Sequence, residues 1–273
     1  MTWTIVILVA AIALYMFGGS IVKHDGKKPE AKAFIMHKGI SVIAIVLIAG
    51  CVCRLWTPVY LVNVNPVILQ DMVTSMQEQQ EEEKNKEVRR YVSKHMDEMI
   101  GGAPIAGNVE AKKTIFLFSD YSCPYCRRVH SELSRVLAER DDVRVVLKNF
   151  SIHGVLSDAP AKAVIAAKLQ GNDKAAALDK LLMDEEYYTQ DDLKKQDKLA
   201  GIIDANVMKL AKKAGLDTKK LAEDMKGAAV AEELRNVRDL AQRFEIRGTP
   251  YLIIGTEAFP GAIPYARIME ALD

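Results

Sequence analysis

The sequence lacks a surplus of charge of either sign: its 273 residues include 37 lysines and arginines against 36 aspartates and glutamates. This balance gives no reason to expect nucleic acid or a strongly acidic ligand as a partner. Cysteine is also scarce, with four residues in the chain, and the five histidines form no paired motif. A structural zinc site needs four ligands at suitable spacing, so the sequence argues against one.

Charged side chains are missing near the N-terminus. Residues 1–22 contain none, and residues 39–70 contain only Arg54. A run of about twenty uncharged residues is long enough to cross a bilayer as a helix. If both runs span the membrane, the short basic loop between them stays on the cytoplasmic side. Everything after residue 65 would then face outward.

A second interpretation concerns the same stretch. From Met36, a basic start and an apolar run lead to Ile48-Ala49-Gly50-Cys51, which resembles a bacterial lipoprotein signal with Cys51 as the site of lipid attachment. Alternatively, Cys51 is simply a small, soft residue within a membrane helix. Either interpretation places the rest of the chain outside the cytoplasm, where disulfide chemistry can persist.

The remaining sequence suggests two further regions after a membrane-anchor region at residues 1–65. Residues 66–103 carry apolar side chains at helical spacing around a purely polar centre, Gln77 to Glu87, and this favours a helical stalk or oligomerisation linker. Residues 104–273 then alternate between short apolar strands and amphipathic helices. This order predicts a mixed α/β sheet domain with a helical insertion at about residues 156–244.

Two of the four cysteines form the motif Cys123-Pro124-Tyr125-Cys126, where a predicted strand gives way to a helix. Free backbone N–H groups and the helix dipole would stabilise a thiolate on Cys123. Cys126, one turn deeper, is placed to attack a mixed disulfide on Cys123. Pro124 is tolerated in a first helical turn and fixes the geometry of the pair. The motif therefore favours a redox centre over half a metal site or two inert thiols.

The stretches "GNVEAKKTIFLFSDYSCPYCRRVH", "FSIHGVLSDAPAKAVIAA" and "RGTPYLIIG" resemble the DsbA-like thioredoxin-fold proteins. Residues 60–100 resemble the N-terminal region of the ScsC-like members, in which that region forms an oligomerisation stalk. The resemblance covers residues 104–273 and implies a thioredoxin fold. It also implies that Thr249-Pro250 is the cis-proline segment, which packs against the CxxC motif and offers the Thr249 backbone to an extended substrate.

By resemblance, Cys123 would be the exposed nucleophile and Cys126 the resolving thiol. The sequence departs from the family at Leu117, where DsbA has an acidic residue that assists proton transfer. Asp120 and His130 are weak candidates for that role. Thr249 differs from the valine of DsbA and resembles the isomerase members, which puts a pure oxidase role in doubt.

The sequence predicts an extracytoplasmic, membrane-anchored thiol–disulfide oxidoreductase that acts on cysteines of envelope or secreted proteins. It needs no cofactor beyond its dithiol, it exchanges electrons with a redox partner protein in the membrane, and it forms a homo-oligomer through residues 66–100. The alternatives are a disulfide isomerase or reductase of the ScsC type, a copper-handling protein with thiolate ligands, and a structural stalk protein without thiol reactivity.

Overall fold

The computed structural model describes Gly50 and residues 66–273, and the chain divides into two compact units between Gln80 and Glu81. The two predicted membrane runs and the lipid-attachment hypothesis for Cys51 lie outside the described residues. Among the residues that are described, the structure contains no helix that is both long and apolar enough to cross a bilayer.

The second unit alternates strands and helices along most of its length. The elements are α1 (Pro66–Ile100, which begins in the first unit), β1 (Ile105–Gly107), β2 (Lys113–Ser119), α2 (Pro124–Glu139), β3 (Val143–Asn149), α3 (Val155–Ala167), a 3₁₀ turn (Lys168–Gln170), α4 (Asn172–Asp184), α5 (Gln190–Leu193), α6 (Gln196–Lys213), α7 (Thr218–Asp224), α8 (Ala228–Arg243), β4 (Tyr251–Ile254), β5 (Glu257–Pro260) and α9 (Tyr265–Leu272).

The five strands form one sheet in the order β1-β3-β2-β4-β5. Strands β2 and β3 are parallel and are joined by the crossover helix α2, whereas the other three pairings are antiparallel. The central strand β2 is buried on both faces, because it alternates between two clusters of the core. This is the α/β thioredoxin fold, with the helices from α3 to α8 inserted between β3 and β4.

The two faces of the sheet are covered by different helices. On one face, Ile115 and Leu117 of β2 pack in the cluster that contains the inner face of α2 and most of the inserted helices. On the other face, Phe116 and Phe118 pack in the cluster that contains α8 and the C-terminal part of α1. Val88, Val92 and Met99 of α1 are at most 1% exposed there. This part of the predicted stalk helix therefore belongs to the core of the second unit.

The strand β1 was not expected from the glycine-rich stretch that follows α1. It pairs antiparallel with β3 and ends at Gly107, whose φ of +86° lies in the left-handed region. A Cβ atom at Gly107 would lie 2.7 Å from a methyl group of Leu137 and 3.0 Å from the carbonyl oxygen of Val143. Glycine is needed here both for the backbone conformation and for the close approach to α2 and β3.

A buried ion pair connects the sheet with α8 and with the turn after α1. The Lys148 ammonium of β3 lies 2.7 Å from the Glu233 carboxylate of α8, and the two side chains are 0% and 2% exposed. Lys148 also donates to Asn236, and the second carboxylate oxygen of Glu233 accepts from the Gly102 N–H at 2.9 Å. This cluster fixes the turn that leads from α1 into the sheet.

Candidate functional site

Cys123 is the N-cap residue of α2, as the sequence predicted. Its backbone is extended, and Pro124 occupies the first helical position. The carbonyl oxygen of Cys123 accepts from the N–H groups of Cys126 and Arg127, while its own N–H donates to the Asp120 carbonyl. These bonds complete the turn between β2 and α2 and hold the first cysteine at the positive end of the helix dipole.

Both cysteines of the motif are free thiols in this structure. Cys123 is 6% exposed and Cys126 is fully buried, so Cys123 is the more accessible of the two, although it is less exposed than the resemblance implied. The two intervening side chains face outward, and Tyr125 is 65% exposed. Tyr125 therefore offers an aromatic surface next to Cys123.

The Thr249–Pro250 peptide bond is cis, as the sequence predicted. The antiparallel pairing of β4 with β2 places Tyr251 opposite Phe118, which brings this segment to the same end of the sheet as the CxxC motif. The Cys123 thiol donates to the Thr249 carbonyl oxygen at 3.5 Å. The structure thus unites Cys123, Cys126, Thr249 and Pro250 in one site.

A groove of about 380 Å³ runs beside the cis-proline segment. One wall is the C-terminal part of α1, with Lys84 and Asn85, and the other includes Thr249, Pro250 and β5. Asn85 accepts a hydrogen bond from the Ala258 N–H of β5, which is an edge strand of the sheet. Thr249 and Pro250 therefore line a groove that reaches the edge of the sheet.

Burial raises the pKa of the Cys126 thiol to about 11, and the neighbouring Cys123 contributes to the increase. Three polar groups oppose this effect: the Asp120 N–H, which donates to the sulfur at 3.5 Å, and the hydroxyl groups of Thr249 and Ser119. A resolving thiol must lose its proton before it attacks, so its deprotonation is costly here.

The Asp120 carboxylate is hydrogen-bonded to the segment that enters α3. It accepts from the backbone N–H of Ile152 at 2.8 Å, from the Ser157 hydroxyl at 2.5 Å and from Ser122, and it pairs with His153. Burial disfavours the carboxylate, but these hydrogen bonds outweigh burial and hold its pKa below the ordinary value. Asp120 is therefore committed to anchoring this segment.

His130 lies one helical turn beyond Cys126 and belongs to a buried polar network. Its Nε2 lies 2.8 Å from one oxygen of Asp179 in α4, and the Tyr121 hydroxyl donates to the other oxygen at 2.8 Å. Burial lowers the pKa of His130, but the Asp179 carboxylate outweighs burial and raises it above the ordinary value. The network joins the loop before the motif to α2 and to α4.

The position that is acidic in DsbA is occupied by Leu117, which is 1% exposed and packs in the core cluster that contains Cys126. The sequence did not single out Ser119, the last residue of β2, although a hydroxyl four residues before Cys123 is visible in it.

Arg127 donates to the carbonyl oxygens of Met183 and Glu185 at the end of α4. Among residues 66–273, no group of three or more His, Cys, Asp or Glu side chains is placed to hold a metal ion.

Comparison with known proteins agrees with this geometry. A family model described as thioredoxin matches residues 100–273. The chain is similar to the crystal structure of a thioredoxin-like oxidoreductase from Silicibacter pomeroyi DSS-3, with 30% identity over 65% of this chain and 95% of that one and a TM-score of 0.56. It shares its fold with the catalytic domain of Proteus mirabilis ScsC, with 23% identity over 67% of this chain and 96% of that one and a TM-score of 0.55.

Among characterised proteins, disulfide bond formation protein D of Bacillus subtilis (strain 168) is 23% identical over 178 residues, which cover 64% of this chain and 77% of that protein. The family model covers more than half of the chain, and it includes both the CxxC motif and the cis-proline segment. The chain therefore belongs to the thioredoxin family and is a thiol–disulfide oxidoreductase.

Proposed function

We propose that this chain acts outside the cytoplasm and exchanges disulfides with the cysteines of envelope or secreted proteins through Cys123 and Cys126. One observation supports the proposal above all: the Cys123 sulfur, at the start of α2, lies 3.5 Å from the Thr249 carbonyl oxygen of the cis-proline segment. A substrate cysteine that approaches Cys123 would find the backbone of Thr249 beside it.

The proposed reaction has two steps. The Cys123 thiolate attacks a substrate disulfide, forms a mixed disulfide and releases the first substrate sulfur. Cys126 then loses its proton and attacks the Cys123 sulfur, so that the second substrate sulfur leaves and the Cys123–Cys126 disulfide forms. The reverse sequence donates a disulfide to a substrate dithiol. Pro124 and Tyr125, which separate the two cysteines, would tune the equilibrium between the two forms.

We further propose that residues 1–65 anchor the protein in a bacterial envelope membrane and that residues 104–273 form the catalytic domain. Within residues 66–103, the stalk would extend as far as Val88, where α1 enters the core of the second unit. The proposal of an anchor is supported by the uncharged runs in the sequence. Oligomerisation is supported by exposed apolar side chains at helical spacing in the first unit, Leu69, Met72, Val73 and Met76. After each reaction, a redox partner in the membrane would oxidise the dithiol or reduce the disulfide of Cys123 and Cys126.

An isomerase or reductase direction is the second candidate, because Thr249 resembles the isomerase members of the family. Reactivation of a scrambled multi-disulfide protein, in the presence of a trace of reductant, separates it from the oxidase direction. We expect the full chain to restore activity to the scrambled protein if it isomerises, and the Cys123→Ser variant to restore none. A variant in which Cys51 and Cys53 are both serine is the matched control and should retain the activity.

If the full chain restores no activity but oxidises a reduced peptide through Cys123, the oxidase direction holds. If it does neither while its thiols remain intact, the proposed exchange with protein cysteines is wrong.

A further inference from the structure

Two hydroxyl groups near the CxxC motif are buried without a hydrogen-bond partner. Among the residues that the structure describes, four buried side-chain nitrogen or oxygen atoms lack such a partner, and two of them are Ser119 Oγ and Thr249 Oγ1. An unsatisfied buried polar group is destabilising and calls for an explanation.

The two hydroxyl groups share one neighbour. Both hydroxyl groups lower the pKa of the Cys126 thiol, although neither of them forms a hydrogen bond to the neutral thiol. The Asp120 N–H approaches the same sulfur at 3.5 Å. Ser119 and Asp120 come from the end of β2, and Thr249 comes from the segment before β4. One donor therefore contacts the buried sulfur, and two unpartnered hydroxyl groups, one from each segment, lower the pKa of the same thiol.

We propose that the Ser119 hydroxyl, the Thr249 hydroxyl and the Asp120 N–H form a donor cradle for the Cys126 thiolate during resolution of the mixed disulfide. A neutral thiol is a weak acceptor, which explains why the hydroxyl groups are unpartnered in the dithiol form. A thiolate is a charged acceptor, and hydrogen bonds to charged groups are shorter and stronger. The cradle provides stabilisation at the point where Leu117 leaves no acid–base group.

The cradle acts in the step in which Cys126 resolves the mixed disulfide. The Cys126 thiol releases its proton to solvent, and the resulting thiolate attacks the Cys123 sulfur of the mixed disulfide. The bond between Cys123 and the substrate sulfur breaks, and its electron pair leaves with the substrate thiolate, which takes up a proton. In this step the Cys126 sulfur is oxidised, the Cys123 sulfur stays at the disulfide level, and the substrate sulfur is reduced. The inference rests on the proposed exchange reaction.

Other titratable groups around Cys126 are either engaged elsewhere or belong to the reaction. Cys123 is the reaction partner on the same turn. The Asp120 carboxylate is taken up by Ser157 and by the backbone that enters α3. His130 on α2 is paired with Asp179 from α4. Cys123, the Asp120 carboxylate and His130 therefore supply no hydroxyl donor to the Cys126 sulfur. The stabilisation of the thiolate by the cradle is not replaced by these groups.

The test follows glutathione disulfide as it reacts with the full chain, in a background where Cys51 and Cys53 are serine. Rapid mixing, acid quenching and mass measurement separate the attack by Cys123 from the resolution by Cys126, because the glutathione adduct marks the intermediate. The variants are Thr249→Val and Ser119→Ala, which remove one hydroxyl each. Thr249→Ser restores the hydroxyl, and Ser134→Ala, on the outer part of α2, is the matched control.

We expect each hydroxyl removal to slow resolution about tenfold and to move its pH profile up by about one unit, since a hydrogen bond to a charged group is lost. In Ser119→Ala the rate of the first attack should be unchanged. Thr249→Ser should recover most of the resolution rate, and Ser134→Ala should match the parent protein.

An unchanged resolution rate in both variants overturns the cradle, and so does an equal slowing of both steps without a pH shift, which would indicate a packing defect. If the parent protein itself forms no adduct on Cys123, the proposed function fails instead, so the two failures are distinguishable.

Discussion

Removing one partner of the buried Lys148–Glu233 pair should be far more destabilising than removing both. Burial lowers the pKa of Lys148 and raises that of Glu233, and the attraction between the two groups, 2.7 Å apart, opposes both shifts. In Glu233→Leu the Lys148 ammonium stays buried without its counter-charge, which costs about 4 kcal/mol. In a unit of this size such a loss lowers the melting temperature by about 10 °C.

The double variant Lys148→Met with Glu233→Leu removes both charges. Its expected cost is about 1 kcal/mol, because the Gly102 N–H still loses its acceptor on Glu233. The assay is denaturant unfolding of the single and double variants, with Lys84→Met as the control, since the Lys84–Glu245 pair is more than half exposed and should contribute little. If the double variant is as unstable as Glu233→Leu alone, the reasoning from an uncompensated buried charge is wrong.

Two further predictions concern the neighbourhood of the motif. The rate of mixed-disulfide resolution should rise about tenfold per pH unit through the neutral range, because the Cys126 pKa of about 11 leaves little thiolate there; a rate that levels off near neutral pH would point to another proton acceptor. Asp179→Asn should lower the His130 pKa seen in an NMR titration and should cost about 2 kcal/mol of stability in acid. The pKa of His130 is higher in the folded protein than in the unfolded chain, so its charged form stabilises the fold at a pH below the unfolded pKa, and this stabilisation is lost as the pH rises through the folded pKa. The loss of stability in Asp179→Asn should therefore be smaller in alkali than in acid. An equal loss of stability in acid and in alkali would contradict the pairing of His130 with Asp179.

Much of the candidate site follows from local sequence patterns. The position of Cys123 at a helix start follows from an apolar strand, a proline at the next residue and an amphipathic helix, and the structure confirms it. The cis bond at Thr249–Pro250 followed from the family resemblance and is also confirmed. These features depend on short-range sequence and on a motif order that the resemblance supplied, so the sequence is enough to predict them.

Other features depend on contacts between distant parts of the chain. The apolar spacing of Val88, Val92 and Met99 predicted an amphipathic helix but could not say whether its face would meet another copy or the chain's own sheet. Likewise, Glu233 lies among other charged residues of α8, and only its 2.7 Å contact with Lys148 shows that it is buried. The role proposed for the Ser119 hydroxyl depends on Cys126 and Thr249, which are distant in sequence and come near Ser119 only in the folded sheet.

We propose that the Cys123–Cys126 pair is the redox centre and that Cys123 makes the first attack. This can be tested by mass mapping of the adduct trapped when the full chain, with Cys126→Ser, reacts with a disulfide-containing peptide. We expect a stable mixed disulfide on Cys123, and no such species when Cys123 is replaced by serine. An adduct that forms on Cys51 or Cys53 instead, or no adduct while Cys123 remains a free thiol, would contradict it.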